Sequence, residues 1–391
     1  VPSPTSRRGL VAIPLLIAAT GLLASACVSR STAGGSSPSV AAAGKDSGEV
    51  TITLTAGGCE PSPKSVHAGV VNFTVRNTGA DAVSEAELLS GGRTLGEQEN
   101  LSPGLSGGFA LRLENGSYQV YCPGAAQEKF DFTVTGTSKS SWRDDPALVK
   151  ATTDYGTWVT GQVDQLVTST KSFVDAVDAG DMQQARLLFA PARVHYERVE
   201  PVAEIWGSLD LNIDGRIDDV DKPADFQGFH KLEQLIFQQK TLTGAGRYAD
   251  QLLVNTKDLQ KLVGRATYQP AEIADGATSL VDEIQKSKVT GEEDRYSHID
   301  LVDFQANLDG AKEAFDLLAP ALRRSDPDLA TVVRDRYQDV VDALAKFKQQ
   351  PGYLNTGYVD YSTVTAAQRR TLSQVVNAFG EELSKVAAKV A

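Results

Sequence analysis

Residues 141–150 read SWRDDPALVK, and the chain changes character across them. Asp145 followed by Pro146 predicts a helix start. The aspartate caps free amides of the first turn, and the fixed φ of proline suits a position whose N–H has no helical partner. From here to the C-terminal end apolar residues recur with helical spacing. The pattern predicts helices near 147–179, 182–208, 224–239, 247–268, 270–287, 298–320, 327–349 and 365–390. Ser325-Asp326-Pro327 repeats the same start device. No internal repeat of solenoid type stands out, so these segments predict an all-α bundle over 138–391.

Upstream the grain is different. VTITLTA, VVNFTVRN, FALRLE, SYQVYC and KFDFTVT alternate or run β-branched and aromatic. Asn77-Thr78-Gly79, Pro103-Gly104 and Asn115-Gly116 supply turns between them. Several short strands within 48–137 predict an all-β Greek-key sandwich. The chain is therefore expected to be multidomain, β first and α second, and 391 residues give each half room for its own core.

The first residues predict export. Arg7 and Arg8 precede LVAIPLLIAATGLLASA, which ends at Cys27. A basic start, a short apolar run and small residues before a cut form a secretory leader, here 1–27. ASA-C is similar to a bacterial lipobox, with Ala24 where leucine is commoner, and implies lipidation of Cys27 and attachment to the outer face of the membrane. Ser6-Arg7-Arg8-Gly9-Leu10 also resembles a twin-arginine signal, while a Sec signal remains open. Residues 28–47, rich in Ser, Gly and Ala, read as a flexible tether. The net charge of −12 argues against nucleic acid as a partner.

Within the helical half, GFHKLEQLIF at 228–237 sets His230 and Glu233 three apart, on one helix face, where both can meet one cation. Glu197, Glu200 and Glu204 lie at i, i+3 and i+7 of an earlier segment, with Pro201 expected to bend it. Facing helices that offer carboxylates and a Glu/His pair are how bundles hold iron. His298 and Asp300 read either as further ligands or as a helix cap that supports them. His195 reads as a support or surface residue. Neither hydrolytic zinc pattern is present, since Lys231 follows the histidine and Gln234 stands where the inverted motif needs its last histidine. Residues 210–221, DLNIDGRIDDVD, fit a calcium loop through Asp210, Asn212, Asp214, Gly215, Asp218 and Asp221. The last position lacks the usual glutamate, and an acidic loop is the competing reading.

The β half looks like a cupredoxin without a blue-copper site. Such a site needs two histidines, a thiolate and usually a methionine. The β half has His67 alone, and Met182, the single methionine, lies among the helices. Metal-binding candidates that remain are Cys59, Glu85, Glu87, Glu97, Glu99 and Cys122, with Glu60 beside the first cysteine. Glu85 and Glu87 would share one strand face. Cys59 and Cys122 either pair as a disulfide or bind metal.

CEP near the start, EAELL, EQENLSPG and a later YC resemble the N-terminal domain of EfeO-type iron-uptake proteins. HYERVEPVAEIWGSLD (195–210), GFHKLEQLIF and TGEEDRYSHIDLVDFQAN (290–307) are similar to the imelysin-like domain that follows in that family. The resemblance spans roughly 48–391. It implies an extracytoplasmic iron-binding protein that presents Fe2+ or Fe3+ to a partner permease, in a system commonly completed by a haem-dependent peroxidase. Cu2+ or Zn2+ at the same residues is a further expectation. Two other readings stand beside it: an imelysin-type metal-dependent endopeptidase and a periplasmic copper-handling protein.

Overall fold

The computed structural model describes residues 48–99, 101–138, 141–220 and 222–391. The expected leader, the tether and the lipidation of Cys27 lie outside them. Strands β1 (Gly48–Leu54), β2 (Pro61–Ser62), β3 (Ser65–His67), β4 (Gly69–Asn77), β5 (Ala86–Ser90), β6 (Arg93–Gln98), β7 (Ser106–Leu113), β8 (Gly116–Tyr121) and β9 (Lys129–Thr135) form two sheets. One runs β2-β1-β4-β7, the other β3-β9-β8-β5-β6. The expected alternation is realised in β1, where Val50, Ile52 and Leu54 face inward. Phe73 of β4 stacks on Phe109 of β7 at 4.8 Å and meets Phe132 of the facing sheet edge-on at 5.6 Å. Each such buried ring contributes about 1.5–3 kcal/mol of burial free energy. Cys59 and Cys122 are joined as a disulfide with a Cα–Cα distance of 6.3 Å. This decides for the disulfide and against Cys59 and Cys122 as metal ligands, because sulfurs bonded to each other offer no thiolate.

The helical half comprises α1 (Pro146–Asp178), α2 (Met182–Glu197), α3 (Glu200–Glu204), α4 (Leu209–Asp214), α5 (Gly228–Glu233), α6 (Gly246–Val263), α7 (Pro270–Glu283), α8 (Asp300–Ser325), α9 (Pro327–Leu344), α10 (Ala366–Leu383) and α11 (Ala387–Val390). Both expected helix starts are present. Asp145 accepts the Ala147 N–H at 2.9 Å, and Asp326 accepts that of Leu329 at 3.1 Å. The long helix expected over 182–208 is broken instead. Val199 leaves helical geometry, with φ −130° and ψ 15°, and Pro201 sits in the first turn of α3, where it lacks an N–H to continue α2. Wide π-type turns extend α5 through Gln234–Gln238 and α7 through Ile284–Lys288.

The β and α halves pack directly. Strands β6 and β7 contact α7, and β7 contacts α11. Arg93 Nη2 donates to Glu272 Oε2 at 3.1 Å, and Arg112 Nη2 donates to the Ala391 carbonyl at 3.0 Å. Among the described residues, no helix is long and apolar enough to cross a membrane.

Candidate metal centre

Helix α5 starts in an unusual place. Gly228 has φ +73°, and a Cβ there would lie 2.2 Å from the Ile213 carbonyl oxygen, so only glycine lets α5 begin against the end of α4. That approach brings His230 to Asp214. His230 Nδ1 lies 3.1 Å from Glu233 Oε2 and Nε2 lies 3.3 Å from Glu293 Oε1 and 3.7 Å from Asp214 Oδ1. The other Glu233 oxygen accepts the N–H groups of Tyr296 at 2.9 Å and Ser297 at 2.7 Å. Glu233 thus fixes the imidazole and ties it to the loop ahead of α8, while Nε2 faces the centre.

The surroundings are strongly acidic and almost wholly buried. Glu197, Glu200, Asp214, Glu233, Glu283, Glu293, Asp294, Asp300 and Asp303 are all buried, and the cations buried with them are Arg193, Lys288 and His230. Arg193 donates to Asp303 at 2.9 Å, Glu293 at 3.0 Å and Asp214 at 3.2 Å, and also to Glu197. Its guanidinium lies over Phe229 and Phe189, at 5.5 and 5.8 Å. Lys288 Nζ stands 3.3 Å from Glu197, 3.6 Å from both Glu200 and Glu293, and 3.8 Å from Glu283.

These cations do not satisfy every anion. Oδ2 of Asp294, Oδ2 of Asp300 and Oδ1 of Asp303 are buried with no hydrogen-bond donor. Burial, reinforced by Asp303, raises the Asp294 pKa well above its ordinary value, and burial pushes Asp300 up to about 8. Asp214 and Glu293 go the other way. Against the penalty of burial, Arg193 and His230 hold Asp214 low, and Lys288, His230 and Arg216 hold Glu293 well below the carboxylate range. Burial opposes charge on His230, yet Asp214 outweighs it and raises the imidazole pKa. Three overlapping sets each gather ligand atoms within 4.8 Å: Asp214, His230 and Glu293; His230, Glu233 and Asp294; Glu197, Glu293 and Asp303. Ligands around a cation at about 2.0–2.4 Å fit such spacings.

The sequence-predicted residues therefore divide. His230, Glu233, Glu197 and Asp300 lie in this interior, and Glu200 lies at its edge beside Lys288. Glu204 is directed elsewhere, to Glu97 and Glu99 of the β half. His298 is half-buried, with φ +58°, and its carbonyl accepts the Tyr361 N–H, whereas His195 Nδ1 lies 3.0 Å from Gln162. Asp214, Glu293, Asp294 and Asp303 were not singled out as bundle ligands. The signals were the acidic run Glu292-Glu293-Asp294 inside the motif at 290–307, and Asp303 three residues after Asp300 on one helix face. The calcium-loop reading is corrected. Asp210, Asn212 and Asp214 stand on α4 and accept bonds from Tyr196, Gln227 and Arg193, Asp218 pairs with Arg295, and Gly215 has φ −56°. A helix replaces the loop that would wrap these side chains round one ion, and each is already engaged by its own partner. Asp221 lies outside the described residues.

A second acidic cluster spans the two halves. Glu85, Glu97 and Glu99 bring oxygens within 4.8 Å of one another, and Glu204 hydrogen-bonds Glu97. Glu87 sits directly opposite Glu97 across β5 and β6, accepts the Thr94 hydroxyl at 2.6 Å and hydrogen-bonds Glu85, so it braces the cluster. Burial pushes the Glu99 pKa up to about 7, with Glu283 of the helical half adding to it. Burial and neighbouring carboxylates raise Glu85, Glu97 and Glu204 well above their ordinary value.

The imelysin family pattern matches residues 151–386, and the cupredoxin-like domain pattern matches residues 18–134. The "Iron uptake system component EfeO" of Escherichia coli O1:K1 / APEC is 39% identical over 344 residues, 86% of this chain and 90% of that protein. The chain belongs to the EfeO family. EfeO of Escherichia coli (strain K12) and EfeO of Shigella flexneri are each 38% identical over the same share. A solved structure from Parabacteroides distasonis ATCC 8503 matches over 66% of this chain and 99% of that chain at a TM-score of 0.48 and 14% identity. The EfeO match fits the observed order, a cupredoxin-like sandwich followed by imelysin helices.

Proposed function

We propose that this protein is an extracytoplasmic iron-binding component of an iron uptake system, which captures iron and hands it to a partner permease. The observation that carries the reading is the buried interior around His230. Carboxylates outnumber Arg193, Lys288 and the imidazole there, and acceptor oxygens of Asp294, Asp300 and Asp303 lack donors. Such an interior is costly as it stands, and a multivalent cation offsets that cost. His230 Nε2, Asp214 and Glu293 are the ligands we assign first, with Asp294, Asp300 and Glu197 beside them. Hard carboxylate oxygens with one imidazole suit iron. Glu85, Glu97, Glu99 and Glu204 form a second cation site between the halves. The EfeO relatives, named as components of an iron uptake system, supply the transport context. The permease, a haem-dependent peroxidase and a lipid anchor on Cys27 belong to the same proposal.

The protein carries its metal rather than hydrolysing with it. Lys231 stands where a hydrolytic zinc motif carries its base, and Glu233 is already held by two backbone N–H groups and the imidazole. The test is anaerobic Fe(II) titration of the full chain and of His230→Ala, paired with a casein cleavage assay. Wild type should bind and the variant should lose at least the roughly 10–100-fold in affinity that even outer partners of a metal ligand command. Neither should cleave casein. Equal binding by the two proteins would remove His230 from the site.

A further inference from the structure

Arg193 and Lys288 are both fully buried among carboxylates, but they are held differently. The guanidinium of Arg193 is fixed by directed hydrogen bonds to Asp303, Glu293, Asp214 and Glu197. Lys288 Nζ makes none. It is a buried donor without a hydrogen-bond acceptor, standing at 3.3–3.8 Å from Glu197, Glu200, Glu293 and Glu283. These are ion-pair distances without the alignment of hydrogen bonds. An ammonium is a compact point charge on a flexible stem, unlike the planar fork of arginine, so it leaves such a cage more readily.

The four carboxylates come from separate segments. Glu197 ends α2, Glu200 begins α3, Glu283 ends α7 and Glu293 lies in the loop ahead of α8. Lys288 closes the wide turn after α7, a local irregularity of the kind frequent at functional sites. Glu200 and Glu283 form the outer rim, 8% and 7% exposed, while Glu197 lies at the bottom with no exposure. Arg193 also pairs with Glu197 and Glu293, Arg216 with Glu293 and Lys286 with Glu283, and each of these cations is hydrogen-bonded, whereas Lys288 is not.

We propose that Glu197, Glu200, Glu283 and Glu293 form a further cation site in the helical half, and that Lys288 is its tethered occupant. The ligand class is a hard, oxygen-preferring divalent or trivalent ion, the cargo iron included. An incoming ion displaces the ammonium, and the ammonium returns when the ion leaves. A built-in competitor of this kind lowers the net affinity and keeps the emptied cage from collapsing or repelling itself apart. The inference rests on the metal-carrying reading above.

The test uses the full chain and Mn(II), a redox-stable oxygen-preferring ion. At one fixed free Mn(II) concentration, Lys288→Met should bind one more ion per chain than wild type, because nothing then fills the cage. Adding Glu283→Gln to Lys288→Met should abolish that gain. Circular dichroism without and with Mn(II) shows whether the ion replaces the ammonium structurally. Lys288→Met should melt below wild type when metal-free and recover with Mn(II). No extra ion, an extra ion indifferent to Glu283→Gln, or a variant that stays unfolded with Mn(II) present would each overturn the proposal. His230→Ala is the separate arm. If it binds Fe(II) as wild type does, the assignment of the His230 centre fails, whatever Lys288→Met shows.

Discussion

Two carboxylate assemblies in this molecule deal with the same electrostatic problem by different means. Around His230, Arg193 is bonded to four buried carboxylates and locks them together, while Asp294 and Asp300 answer burial with raised pKa values. Between the halves, Glu85, Glu97, Glu99 and Glu204 are half-buried with Lys286 nearby, and burial and neighbouring carboxylates raise their pKa values, so protons do much of the neutralising. The difference teaches that acidic residues alone do not define a site's behaviour. A cation-locked interior keeps its geometry when empty, whereas a proton-held cluster opens to metal as pH rises. The two are also electrostatically continuous, since Glu99 is raised by Glu283, which itself pairs with Lys288.

The largest effect should come from Arg193→Met. Removing the one cation bonded to four buried carboxylates leaves them uncompensated, and breaking even a single buried pair typically costs about 3–5 kcal/mol. Denaturant unfolding should show a loss of at least that size. A loss near zero would mean that the interior is not locked by Arg193 and would erase the contrast.

Next comes Glu233→Gln. Because Glu233 orients His230 through Nδ1 and accepts the Tyr296 and Ser297 N–H groups, its neutral replacement should weaken Fe(II) binding about 10–100-fold with the fold retained. An affinity equal to that of wild type would show that the imidazole needs no such orientation.

The smallest effect, and the one that sharpens the comparison most, is the pH response of the interface cluster. Glu99 has its pKa raised from 4.5 to about 7, so between those values the folded chain holds a proton that the unfolded chain has released. The contribution of a raised acid of this kind is fully present below 4.5, falls through that window as the unfolded chain ionises first, and is gone above about 7. The metal-free melting temperature of wild type should therefore fall between about pH 5 and 8. Glu99→Gln, which removes the titrating carboxyl, should flatten that fall and remove the rescue given by added Fe(II). A flat wild-type profile would show that the cluster is not held by protons.

Much was legible along the chain. The Asp-Pro starts of α1 and α9, the alternation of β1 and the change of grain near Trp142 are local properties, decided by a few neighbouring side chains and backbone angles. His230 and Glu233 were readable because three-residue spacing places both on one helix face. What the sequence left open or misplaced depended on pairs distant along the chain. The choice between disulfide and ligand for Cys59 and Cys122 needed their Cα atoms 6.3 Å apart across 63 residues. Asp214, read in a calcium loop, joined His230 only because Gly228 lets α5 start against α4. Glu204 left the stripe of Glu197 and Glu200 because the break at Val199 and Pro201 re-aimed it toward Glu97. Helix and strand periods come from bonded neighbours, so one sequence contains them. A cation site is a convergence of charges in space, and only the packing of α2, α4, α5, α7 and α8 decides which carboxylates share a cation and which must keep a proton.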